Sequence, residues 1–159
     1  MSVLTNKQLN EQQAFARFAN RVGSAQQWVA VSSRPEPEPD LLCIHAEYGA
    51  IAFELVSLTD PEIASIQAAG PRARTDAFSS GDPSERIIEK KLGRSYETSA
   101  QHIELLIYTD GQIITPDDVI IPTVRPLLEL HKHPFKRVWF MGERETCCLW
   151  PANARLSED

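Results

Sequence analysis

The segment that decides the fold runs from Pro39 to Leu58 and reads PDLLCIHAEYGAIAFELVSL. It contains two apolar runs separated by a short polar turn, which is the pattern of a β-hairpin. Asp40 opens the first run and Glu54 lies inside the second. The hairpin would bring these two carboxylates near the same end of a sheet, where they repel each other unless a cation intervenes. We therefore predict a hard-metal site here. The alternative is that Asp40 is only a turn residue and that Glu54 faces solvent.

The composition is that of an ordinary globular protein. Of the 159 residues, 42% are hydrophobic and 24% charged, so we expect a single domain over residues 1–159. The net charge of −6 opposes tight non-specific binding to nucleic acid, although a local basic patch is compatible with it. No apolar stretch approaches the roughly 20 residues that cross a bilayer, and no secretory signal opens the sequence. Three cysteines make no disulfide framework, so we expect a cytoplasmic protein without a membrane partner.

Helices and strands are predicted on both sides of the hairpin. A helix is expected from about Asn6 to Val22, because Phe15, Phe18 and Val22 follow the spacing of one buried face. The other predicted elements are a strand at 28–33, a short helix at 60–69, a loop at 70–82, a helix at 83–96, a strand at 103–108 that is buried on both faces, an irregular helix at 116–131 broken near Pro122 and Pro126, and a hairpin of strands 137–141 and 146–150.

Two charged residues fall on the core-facing sides of the predicted helices. Glu11 precedes Phe15 by four residues and so projects from the same side of the first helix. In the helix at 83–96, Lys91 falls between Ile87 and Leu92 on the apolar face. Glu11 could instead be relieved by water and by the helix dipole near the helix start, and Lys91 could extend its ammonium to solvent. Taken together, the two helices direct opposite charges towards the hairpin carboxylates.

This layout resembles the PD-(D/E)XK phosphodiesterase superfamily, which has the restriction-endonuclease-like fold. The family core has the order α-β-β-β-α-β, and the match covers about residues 5–110. The family's Pro-Asp pair matches the dipeptide ending at Asp40, its acidic strand position matches Glu54, and its first-helix acid matches Glu11. The resemblance implies an α/β fold with a central mixed sheet flanked by helices, followed by a C-terminal helix and β-hairpin over about residues 111–151.

The chain departs from the family at Val56, where lysine is usual. Some members supply this lysine from the following helix, where Lys91 stands in this sequence. The resemblance implies a metal-dependent nuclease that hydrolyses phosphodiester bonds in DNA. Its implied catalytic residues are Glu11, Asp40, Glu54 and Lys91. The implied cofactor is Mg²⁺ or Mn²⁺, held by Asp40, Glu54 and the carbonyl of Leu55.

Two other interpretations stay open. The first is a non-catalytic protein of the same fold that binds a partner protein or nucleic acid, or forms a homodimer through the C-terminal hairpin and its aromatic residues. Val56 and the acidic net charge favour it, and a long distance from Lys91 to the hairpin carboxylates would strengthen it. The second is a small-molecule-binding domain of unrelated α+β topology. Residues that could form a basic patch for DNA, or equally a solvated surface, are Arg72, Arg74, Arg86, Lys90 and Arg94.

Overall fold

The structure is a computed structural model that describes residues 3–60, 63, 87–111 and 113–151. Within these ranges, six strands form one open mixed sheet in which the spatial order equals the chain order. Strands β1 to β3 are antiparallel, β3 to β5 are parallel, and β6 returns antiparallel to β5. The elements are α1 (Asn6–Arg21), β1 (Trp28–Ser33), β2 (Leu41–His45), β3 (Gly49–Leu58), α2 (Ile87–Leu92), β4 (Ile103–Thr109), α3 (Asp117–Leu130), β5 (Phe135–Met141) and β6 (Thr146–Trp150). The predicted α/β class, with a mixed sheet, a C-terminal helix and a terminal hairpin, is confirmed.

Helix α1 begins at a capping box and packs on one face of the sheet. The Thr5 side chain accepts a hydrogen bond from the Gln8 backbone, and the Gln8 side chain accepts one from the Thr5 backbone. The apolar stripe of the helix is buried, and Phe15 meets Phe53 of β3 edge-on at a ring distance of 4.8 Å. Gly23, with a φ of 76°, follows the helix. This docking fixes α1 above the middle of the sheet.

Strand β3 presents alternate side chains to two separate hydrophobic clusters. Phe53 and Leu55 pack with α1, whereas Ala52 and Val56 pack with α2 and α3 on the opposite face. Every residue of β4 is buried, as predicted for residues 103–108 from their nearly continuous apolar sequence. The sheet is therefore the middle layer, and Glu54 shares its face with Val56 and α2.

Two sequence predictions about helices are wrong. Helix α3 is continuous over Asp117–Leu130 although it contains Pro122 and Pro126. Both prolines lie on its exposed side, where water can solvate the carbonyls that their missing N–H groups leave without a partner. Helix α2 ends at Leu92 rather than near Tyr96, because Gly93 follows and favours termination.

Several predictions lie outside the described residues. They are the short helix at 60–69 apart from residues 60 and 63, the loop at 70–82 with Arg72 and Arg74, and the start of the second helix with Arg86. Among the helices that the structure does describe, none combines the length and the apolar character needed to cross a membrane.

Candidate functional site

The candidate site is a notch at the edge of β3, which extends past the first residue of its neighbour β2. Leu41, the first residue of β2, pairs with Phe53, so β3 has no β2 partner beyond that position. Asp40 occupies this notch. Its backbone N–H donates to Glu54 Oε1 at 2.9 Å, and its Oδ2 accepts from the Leu55 N–H at 2.9 Å. These two bonds, each from a backbone N–H to a carboxylate, link the segment before β2 to β3. They hold the two carboxylates together at one end of the sheet, as the hairpin pattern predicted. Since Glu54 is only 2% exposed, the solvent-facing alternative for it is wrong.

Lys91 reaches Glu54 from helix α2. Its ammonium donates to Glu54 Oε2 at 2.6 Å, and the hydroxyl of Tyr96 donates to the same oxygen at 3.1 Å. The guanidinium of Arg94 lies 4.0 Å from that oxygen. Lys91 can make this contact because α2 packs on the sheet face that Glu54 shares with Val56. The prediction that Lys91 projects towards the hairpin is confirmed, so the long-distance condition that would strengthen the non-catalytic interpretation is not met.

Glu11 enters the cluster from α1 on the other side of the sheet. It is 7% exposed, so the alternative in which water surrounds it near the helix start is wrong. Burial raises the pKa of Glu11 above its ordinary value, and the charge of Lys7 and a side-chain hydrogen bond with Asp40 partly offset this rise. The Glu11 carboxyl also feels the charges of Glu54 and Lys91. The four side chains predicted to meet, Glu11, Asp40, Glu54 and Lys91, are therefore brought together at the notch. Their catalytic and metal-binding roles stay predictions.

Burial dominates the electrostatics of this acidic cluster. Loss of solvent raises the pKa of Glu11, Asp40 and Glu54 above their ordinary values. The charge of Asp40 raises the pKa of Glu54 further, and the hydrogen bond from Lys91 opposes both effects. For Asp40, the Leu55 N–H lowers the pKa and the charge of Glu11 raises it. Lys91 contacts Glu54 directly, and Lys7 and Arg94 lie 4.0 Å from Glu11 and Glu54, respectively. Burial outweighs these cations, so the cluster favours protons or a further cation.

The carboxylate oxygens of Asp40 and Glu54 lie together at the notch, and oxygen is the ligand atom that Mg²⁺ prefers. No group of three or more His, Cys, Asp or Glu side chains able to hold a metal ion is found among the residues that the structure describes. Mg²⁺, however, is usually bound through only one or two protein carboxylates together with water. Asp40 and Glu54 supply two. In a strand, the N–H and C=O of one residue point to the same side, so the Leu55 carbonyl faces the notch into which its N–H donates.

A cleft of about 940 Å³ opens beside the acidic cluster. Its lining includes residues that end or follow the parallel strands β3, β4 and β5, namely Ser57, Thr109, Asp110, Gly111 and Gly142. In open α/β sheets, ligands bind in crevices at the carboxyl ends of the strands. Glu11, Leu55 and Lys91 also line the cleft, which gives the cluster a route to a ligand.

Sequence reasoning missed Tyr96 as part of the cluster. It was predicted to end a helix, but it lies in the irregular segment after α2 and points back to Glu54. Burial and the neighbouring Glu54 carboxylate raise the pKa of Tyr96, so its hydroxyl stays a hydrogen-bond donor. No periodic pattern marks the residue, because its contact is set by the path of the chain after Gly93.

Replacing Tyr96 with phenylalanine tests this hydrogen bond. Tyr96→Phe removes one donor to a buried carboxylate and keeps the ring, which packs against Phe135. We expect a loss of about 1 kcal/mol in the free energy of unfolding. Urea denaturation of parent and variant measures it, and an unchanged midpoint would show that the hydroxyl contributes nothing to the cluster.

Another buried carboxylate, Glu104, belongs to a separate structural network at the start of β4. It accepts hydrogen bonds from the Trp139 indole at 2.6 Å and from His102 at 2.7 Å, and Arg137 lies 3.7 Å away. Both of its oxygens are engaged by side chains of the same domain. Glu104 and His102 support the packing of β4 on β5.

Comparison of the chain with protein-family models, with curated proteins and with solved structures finds no match. The function of the acidic cluster must therefore be inferred from its own geometry and chemistry.

Proposed function

We propose that this protein is a metal-dependent nuclease that hydrolyses phosphodiester bonds in DNA and is built on a restriction-endonuclease-like core. One observation supports this proposal above all. Glu11, Asp40, Glu54 and Lys91 come from four different elements or their edges, yet they meet at one notch beside a cleft. Buried carboxylates are costly unless they are paired, so their concentration at one point indicates a functional constraint.

Each residue has a role that follows from its place. Asp40 and Glu54 would hold Mg²⁺ or Mn²⁺ together with the carbonyl of Leu55. When bound, the ion would supply Lewis-acid activation of the scissile phosphate and of a water nucleophile. Lys91 would orient the attacking water or offset the negative charge that develops on phosphorus. Glu11, which lines the cleft, would hold a water molecule or a second ion.

The position of Lys91 supports activity despite Val56. In the family pattern, a lysine two residues after the strand acid shares its face of the sheet. Here that position is Val56, and α2 covers the same face and delivers the Lys91 ammonium to Glu54. We infer that Lys91 replaces the missing strand lysine. The three cysteines are free, which agrees with the cytoplasmic location that we propose for a DNA-processing enzyme.

A non-catalytic protein of the same fold is the second candidate, and one observation favours it. Both oxygens of Glu54 already accept hydrogen bonds, as expected for a purely structural ion pair. A homodimer through the terminal aromatic residues has less support, because Trp139 and Phe140 are buried in the chain's own core and only Trp150 is partly exposed. The two candidates differ in what happens when a divalent metal is added.

The pH dependence of Glu11→Gln stability tests whether the Glu11 carboxylate destabilises the folded protein at neutral pH. Raised carboxyl pKa values mean that the folded state gains stability as pH falls through them and loses it as pH rises. The glutamine amide can donate to Asp40 without any proton uptake. We therefore expect the variant to unfold at a higher urea concentration than the parent at neutral pH, with the difference shrinking towards about pH 4. A variant less stable than the parent at neutral pH would mean that the Glu11 charge is itself stabilising.

A cleavage assay tests the proposed activity directly. Labelled linear duplex DNA and labelled single-stranded DNA are each incubated with the protein in Mg²⁺, in Mn²⁺ and in EDTA. We expect cleavage in either metal and none in EDTA, because in this proposal the bound ion supplies the activation of water and of the scissile phosphate. Intact substrates in both metals, with a folded protein, would favour the non-catalytic candidate.

A further inference from the structure

The cleft beside the acidic cluster is more basic than the protein as a whole. Among the described lining residues, its cations are Lys7, Arg17, Arg21 and Lys91, and its acids are Glu11, Asp110 and Glu143. The chain as a whole carries a net charge of −6. Three of the four cations lie along α1, and the span from Lys7 to Arg21 is about 21 Å at the α-helical rise. This row gives a polyanion one local path towards the cluster.

Arg21 and Arg17 of this cationic row differ in whether the protein's own groups already engage them. At the C-terminal end of α1, the Arg21 guanidinium donates to the Gly142 carbonyl and so ties the helix to the turn between β5 and β6. Arg21 is therefore part of the wall of the cleft. Arg17 is exposed and lies between that wall and Glu11, about 9 Å along the helix from Glu11. Among these cations, Arg17 is the best placed to contact the phosphates of a polyanion bound in the cleft.

The metal-binding carboxylates of the proposal are recessed below this cleft. Glu54 is 2% exposed, and neither it nor Asp40 lines the cleft, whereas Glu11, Leu55 and Lys91 do. A B-form duplex is stiff over about 50 nm and carries its phosphates on the outside of a cylinder. It cannot easily bend one phosphodiester into a recess. A single strand can, because its backbone is flexible and its bases are free to turn away.

We propose that the cleft binds single-stranded DNA, or a single-stranded end of a duplex, along α1, with Arg17 contacting the phosphates next to the one that is cut. This inference rests on the proposed nuclease function and specifies its substrate. The cleft volume of about 940 Å³ accommodates a few nucleotides of a single strand, since small-ligand pockets are about 300–1,000 Å³. Tyr108 also lines the cleft, and burial together with the Glu11 charge raises its pKa, so its hydroxyl remains available to donate to a phosphate oxygen.

Fluorescence anisotropy with calcium in place of magnesium tests this inference. The probes are a labelled oligothymidylate of about 20 nucleotides, long enough for a single-strand groove, and a mixed-sequence duplex of equal length. The variants are Arg17→Ala and Arg125→Ala. The second is a matched control, because Arg125 is an exposed arginine on α3, on the opposite face of the sheet. Each dissociation constant is measured as a function of salt concentration.

We expect the single strand to bind several-fold more tightly than the duplex. Arg17→Ala should weaken single-strand binding by roughly 3-fold or more and reduce the salt slope by about 0.7, the value for one phosphate contact on a single strand. Arg125→Ala should change neither quantity. Equal or tighter duplex binding would overturn the inference, and so would an unchanged affinity and salt slope in Arg17→Ala.

The binding and cleavage assays, made on the same protein, together distinguish a failure of this inference from a failure of the proposed function. Metal-dependent cleavage of duplex DNA without preferential single-strand binding would leave the nuclease proposal standing and remove the substrate assignment. Single-strand binding through Arg17 without cleavage in Mg²⁺ or Mn²⁺ would remove the catalytic proposal, and the cleft would then be that of a binding protein.

Discussion

Asp40→Asn and Glu54→Gln are each expected to lower metal-dependent DNA cleavage by at least about 100-fold, because loss even of groups that only support a metal ligand costs 10- to 100-fold. Asp40→Asn is the cleaner change. Its amide oxygen can still accept from the Leu55 N–H that now donates to Asp40. Glu54→Gln directs an NH₂ group at one of the donors around Glu54 and should also cost about 1–3 kcal/mol of stability.

The matched control for this pair is Asp118→Asn. Asp118 is an exposed carboxylate in the first turn of α3 and lies outside the cluster. Cleavage rates of all three variants are compared with the parent in Mg²⁺ and Mn²⁺, after circular dichroism has shown that each is folded. If Asp40→Asn cuts DNA as fast as Asp118→Asn does, the notch is not the catalytic centre.

Lys91→Met is expected to have the largest effect on stability. It leaves Glu54, which is 2% exposed, without its ammonium, and breaking a buried ion pair from one side costs about 3 kcal/mol or more. The loss should depend on pH in a definite direction. Without Lys91 the raised pKa of Glu54 rises further, because the hydrogen bond and the charge that lower it are gone. A protonated Glu54 needs no ammonium, so the variant should approach the parent as pH falls and diverge as pH rises.

Lys90→Met is the control, since Lys90 is the exposed neighbour of Lys91 on the same helix. Urea denaturation of parent and both variants, repeated from acidic to neutral pH, gives the comparison. We expect Lys90→Met to follow the parent throughout. A Lys91→Met penalty that is small, or that does not change with pH, would mean that the Lys91–Glu54 pair does not hold the cluster together.

Local patterns in the sequence predicted most of the elements around the site. The two apolar runs and the polar turn between them placed Asp40 and Glu54 at one end of the sheet, and helical spacing placed Glu11 on the same side of α1 as Phe15. These are short-range periodicities that the backbone obeys directly. The proposed role of Lys91 as a replacement for the lysine missing at Val56 came from the family resemblance, whereas the structure shows only its contact with Glu54.

Other features depended on contacts that no local pattern encodes. Tyr96 joins the cluster through the path of the chain after Gly93, and Arg94 is positioned there by an ion pair with Glu36 at 2.7 Å. Helix α3 continues past Pro122 because its proline-bearing side faces water, a consequence of which face packs on the sheet. Such features follow from tertiary packing and therefore could not be predicted from one segment at a time.

Calorimetric titration of the protein with Mn²⁺ near neutral pH tests most directly whether the buried acidic cluster is a metal site. We expect a saturable heat of binding in the parent, its loss in Asp40→Asn, and weaker binding as pH falls, because protons compete for carboxyl groups whose pKa values are raised. Asp118→Asn should bind like the parent. A flat titration of the folded parent, or equal binding by Asp40→Asn, would show that the acidic cluster is not the metal site.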